Sequence, residues 1–150
     1  MFRKGIVLLF TGPIWWLLIQ LTFIQSGAQK ILANPELQSE KFINSFMKTE
    51  PLPRMIEPFF MWKGMFLVGL FLGTTVIYLN SLLSGNLLIK GVKLGILHWM
   101  IAIPWFEFYL PFNVMHEPIS LVLFESILWL FTTIFLGVLL SFILNFPSKN

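Results

Sequence analysis

Cysteine and aspartate are both absent from this chain of 150 residues. Without cysteine there is no disulfide, no thiolate metal site and no cysteine nucleophile, and the redox compartment leaves no trace. Without aspartate no Ser/His/Asp triad can form. No phosphate loop or dinucleotide fingerprint occurs either, so soluble-enzyme chemistry is excluded. Charge is equally scarce. Charged residues make up 11% of the chain, against about 25% in soluble domains. The net charge of +3 is spread too thinly for nucleic acid, whose partners cluster basic groups on one face. No HExxH or paired ExxH spacing is present, so neither a metal nor a cofactor is expected.

Hydrocarbon is what the chain has in quantity: 57% of residues are hydrophobic and 17% aromatic, with a mean hydropathy of +0.81. Four apolar runs, roughly 5–25, 58–80, 87–110 and 118–145, each approach the ~20 residues that cross a bilayer core. None alternates at period two, which argues against a lipid-facing barrel. The expected fold is therefore an all-α integral membrane protein, one domain over 1–150, with four transmembrane helices in a compact bundle. The first run is too long for a signal-peptide core of about 7–15 residues and reads as a retained anchor. Arg3, Lys4, Lys90, Lys93 and Lys149 fall on one side, and Lys30, Lys41, Lys48 and Arg54 on the other. That margin, with no positive charge in 108–117, places both termini in the cytoplasm. A bacterial inner membrane is the expected location.

The first loop, roughly 26–57, is the one substantial hydrophilic segment. Asn34-Pro35-Glu36 reads as a helix opening, so a short amphipathic helix over about 35–49 is expected in the membrane interface. Phe42, Ile43, Phe46 and Met47 would share its apolar face, and PLPRMIEP at 51–58 would end it. Small residues mark the packing faces of the spans: Gly69 with Gly73, Gly91 with Gly95, and Ser126, Thr133, Gly137 and Ser141. His98 and Ala102 continue the Gly91–Gly95 line, which turns the imidazole into the bundle.

Ionisable groups inside these spans are expensive, about 2.5–3.5 kcal/mol each on insertion scales. At about 1.5 Å per residue, Glu125 lies roughly 10 Å from the 110/118 end, Glu107 about 5 Å, Lys63 about 8 Å and His98 about 18 Å. With His116 and Glu117 in the intervening turn, these six form the expected polar cluster. Its walls are expected to be the second, third and fourth spans. A Lys63–Glu125 or Lys63–Glu107 contact is expected, with Glu107, His116 and Glu117 near water and His98 and Glu125 deeper. The cluster is a structural clasp, a ligand or substrate pocket, or a catalytic group. Pro104 is expected to kink the third span between His98 and Glu107.

The stretch FIQSGAQKILANPE, at the end of the first span, resembles DoxX-type small four-helix membrane proteins in its Gly-x-x-Lys turn and in chain length. The later WFEFYLPFNVMHEP is not part of that resemblance, and it lends no activity to any residue.

The functional expectation is a small polytopic membrane protein without a catalytic motif. It would be an accessory subunit or a binder of a small amphiphilic ligand, with lipid and either a protein partner or a second copy around it. The alternatives are an oligomeric transporter-like protein using the Lys/His/Glu group, and then a membrane-embedded enzyme.

Overall fold

The computed structural model describes residues 2–48 and 58–145, with backbone only for 46, 47 and 58–61. Among them no strand occurs. Helix α1 (Phe2–Ile19) widens into π-helical turns over Gln20–Gln25. A short α2 (Ala28–Leu32) follows, then a helical piece α3 (Glu40–Phe42) that continues as wide turns to Met47. Helix α4 spans Pro58–Leu82, α5 Leu87–Glu107 and α6 Ile119–Asn145. The end of α5 again opens into π-helical turns, Phe108–Val114. Four helices are long and apolar enough to cross a membrane: Phe2–Gln25, Trp62–Leu82, Leu87–Val114 and Ile119–Asn145.

The helices pack in the order α4, α1, α6, α5, and α4 meets α5 and α6 only sparsely. Backbone-to-backbone approach fixes this order. On α1 and α4, a Cβ at Gly69 would fall 2.5 Å from the Gly12 nitrogen, and one at Gly12 would strike the Met65 carbonyl. On α5 and α6, a Cβ at Gly95 would lie 2.6 Å from the Thr133 oxygen and one at Gly137 would lie 2.7 Å from the Gly95 nitrogen. These glycines let two helices dock without intervening side chains, which is the packing that lipid-embedded helices rely on. Trp99 Nε1 donates to the Ser126 carbonyl at 2.8 Å and Ser141 Oγ to the Leu87 carbonyl at 3.1 Å, tying α5 to α6 at two levels. Val7, Leu18, Val76, Leu94, Leu136 and Leu140 fill the core. At the end holding the N-terminus, Asn80 of α4 and Asn145 of α6 exchange carboxamide hydrogen bonds.

The loop helix differs from expectation. Asn34 Oδ1 accepts from Glu36 N at 3.0 Å, closing an Asx turn rather than capping a helix. The cap is Ser39, in extended backbone, whose Oγ accepts from Phe42 N at 3.0 Å. Residues 51–57 of the expected stop at 51–58, and the side chains of Phe46 and Met47, lie outside the described residues. Pro104 lies within α5, and the wide turns that follow, Phe108–Val114, contain Pro111.

Candidate functional site

The turn between α5 and α6 sets the site. Met115 N donates to the Leu110 carbonyl at 2.9 Å and Glu117 N to the Pro111 carbonyl at 3.0 Å. Between them His116 takes the left-handed conformation, φ 59°, uncommon for a side chain this size. The reversal sends neighbouring residues opposite ways: His116 is exposed, whereas Glu117 is only 3% exposed.

Glu117 meets two other carboxyls there. Glu107, in the last turn of α5, is 0% exposed. Glu125 projects from the second turn of α6. Glu107 lies within electrostatic reach of both Glu125 and Glu117, and Glu125 within reach of Glu117. Hydrogen bonds do not match this burial. Neither oxygen of Glu107 reaches hydrogen-bond geometry with a partner among the described residues, although the Trp129 indole lies near it, and Glu117 Oε2 has none either. Glu125 Oε1 accepts from Trp129 Nε1 at 3.3 Å. Burial pushes the Glu117 carboxyl above the usual carboxylate range, and the Gln38 carboxamide draws it part of the way back. An unsatisfied buried polar group costs about 1–3 kcal/mol, and more when charged. Such an arrangement opposes folding unless something else satisfies it.

The first loop roofs this group. Ser39 Oγ, besides capping α3, donates to the Met115 carbonyl at 2.6 Å and pins the loop to the α5–α6 turn. Gln38 is held below it, its Nε2 donating to the Leu32 carbonyl at 2.7 Å. A cavity of about 420 Å³ lies between loop and helices, within the ~300–1,000 Å³ common for small-molecule sites. Leu32, Ala33, Phe42, Phe106, Leu110 and Met115 supply apolar wall, and Gln29, Gln38, Glu117 and Glu125 polar wall. Behind it stands an aromatic stack. Trp129 lies over Trp15 at 5.4 Å and beside Phe23 at 4.6 Å, and Trp15 touches the His98 ring at 5.5 Å.

Of the six expected cluster residues, the structure brings together Glu107, Glu117 and Glu125. Lys63 is exposed and lines a surface groove with Trp62, Phe66 and Leu67. It makes no hydrogen bond to Glu107, whose oxygens lack partners. The physical reason is helix order: α4 packs on α1, away from the α5–α6 turn. His98 does turn inward, yet it borders a separate crevice of about 190 Å³ between α4 and α5. None of the described side chains of the second span lines the carboxyl cavity, and the first loop supplies wall there instead. Glu107 and Glu117 are also buried rather than water-facing. Trp129, four residues after Glu125 and so on the same helix face, was findable by spacing alone. Gln38 and Ser39 carried no such signal.

Among the described residues no three His, Asp, Glu or Cys side chains are grouped to hold a metal ion. No protein-family model matches the chain, no curated protein matches its sequence and no solved structure matches its fold, so the likeness at 23–36 assigns no role to the site.

Proposed function

We propose that this is an integral membrane protein that binds a small amphiphilic ligand in the roofed cavity at the first-loop end of its bundle. The observation that carries the reading is Glu117, only 3% exposed and with a carboxyl oxygen unpartnered among the described residues, in the wall of a largely apolar cavity. A structural clasp would close its hydrogen bonds internally; among the described residues this group leaves three carboxyl oxygens without a partner. Apolar walls with a few convergent polar groups are how proteins hold a molecule that is part hydrocarbon. The transporter-like alternative has less support, because Lys63 and His98 stand outside the carboxyl group. We further propose a bacterial inner membrane with both termini cytoplasmic, which puts the cavity on the far face. Whether the chain serves a larger complex as an accessory subunit would follow from what the ligand is.

The test is saturable binding of ten-carbon amphiphiles to the purified protein in lipid nanodiscs, read by native mass spectrometry. One probe per chain should bind, and Ala33→Trp, which fills the cavity from the loop side, should abolish it while the thermal midpoint stays within a few degrees of the parent. Probes that bind both proteins equally, or neither, would end the reading.

A further inference from the structure

The wall chemistry says more about the ligand than its amphiphilicity. Two carboxyls, Glu117 of the α5–α6 turn and Glu125 of the second turn of α6, line the cavity, and a third, Glu107 at the end of α5, lies within electrostatic reach of both. Among the described residues, the groups acting on them are each other, the Trp129 indole and the Gln38 carboxamide, and none of these is a cation. Two separate deficits result. Among the described residues, carboxyls are gathered without a cation beside them, and acceptor oxygens on Glu107 and Glu117 lack donors. A neutral hydroxyl would supply one donor and no charge. A metal ion would supply charge, but the carboxyls are not grouped as a ligand set. An anionic head would worsen the repulsion. A protonated amine supplies charge and up to three N–H donors from one atom, while Leu32, Phe42, Phe106 and Leu110 take hydrocarbon.

We infer that the cavity takes an ammonium head carried on an apolar body. This rests on the binding reading above and specifies its ligand. The ammonium could arrive on a free amphiphilic amine or as the headgroup of a bilayer lipid, and in either case it would meet the same carboxyls.

The experiment compares decylamine, decanol and decanoate as probes, in nanodiscs of phosphatidylglycerol alone and in discs that also contain phosphatidylethanolamine. Decylamine should bind one per chain, at least about tenfold tighter than the other two. Glu117→Gln and Glu125→Gln should each weaken it by roughly tenfold or more, and Glu36→Gln, at an exposed loop position, should change nothing. Thermal melts of all three variants confirm that the bundle is intact. Decylamine binding in both disc types identifies a free amine as a sufficient ligand. Binding that phosphatidylethanolamine displaces, with that lipid retained on the protein, identifies the lipid headgroup. Either supports the ammonium site. If decanol binds as tightly as decylamine and Ala33→Trp still blocks it, the cavity stands and the ammonium inference falls. If Ala33→Trp affects no probe, both fall.

Discussion

Gly137→Leu is expected to leave no folded monomer in detergent or lipid. Gly137 faces α5 where the two backbones touch. Even a Cβ there would fall on the Gly91 carbonyl and within 2.7 Å of the Gly95 nitrogen and 3.1 Å of its Cα. These are backbone atoms of a continuous helix, so no rotamer change can yield space. Relief requires α5 to lift off α6, which would break the Trp99–Ser126 and Ser141–Leu87 hydrogen bonds. Overpacking by a methyl or two costs about 1–3 kcal/mol. Gly137→Ala should therefore lower the thermal midpoint clearly, and the leucine side chain should exceed what the bundle can tolerate. Gly5→Ala and Gly64→Ala are the matched controls, because nothing lies within 4 Å of a Cβ at either. There alanine's helix preference, about 0.8–1.0 kcal/mol over glycine, should leave stability unchanged or slightly higher. Equal effects at Gly137 and Gly5, measured by thermal melting and size-exclusion chromatography, would contradict the packing described here.

Glu107→Leu should do the opposite and raise the thermal midpoint by several degrees. A fully buried carboxyl with neither oxygen hydrogen-bonded among the described residues bears the cost of leaving water without recovering it. Leucine is comparable in size and carries no such cost. Glu107→Gln, which keeps the shape and two polar atoms but loses the charge, should fall between parent and leucine variant. Neither variant should bind decylamine as tightly as the parent. Stability gained with binding lost is the signature of a group retained for a ligand. A clasp would give a lower midpoint for both substitutions.

Much of this architecture can be read in the amino-acid order, because the properties that set it are local. Run length and the absence of charge mark the four spans, and the glycine lines Gly69–Gly73 and Gly91–Gly95 mark two docking faces. Counting helical rise places Glu107, Glu117 and Glu125 at one end. What the order of residues does not carry is which helices are neighbours. Lys63 sits at a depth suited to a carboxyl partner, and only the α4–α1–α6–α5 order shows that it lies elsewhere. Gly12, with Pro13 beside it and no glycine four residues away, offers no stripe by which to see that it receives α4. The roof was hidden for a similar reason. Ser39 is one of several loop hydroxyls, and its bond to the Met115 carbonyl joins residues 76 apart. Asn34 displays every local mark of a cap and is used for a turn.

Because the chain has no cysteine of its own, single introduced thiols can report where neighbouring residues face. His116→Cys and Glu117→Cys, each reacted with a membrane-impermeant maleimide in intact nanodiscs, test the roofed cavity most directly. The account predicts rapid labelling at 116 and near-complete protection at 117 until the protein is unfolded. Comparable labelling rates at the two positions would contradict it.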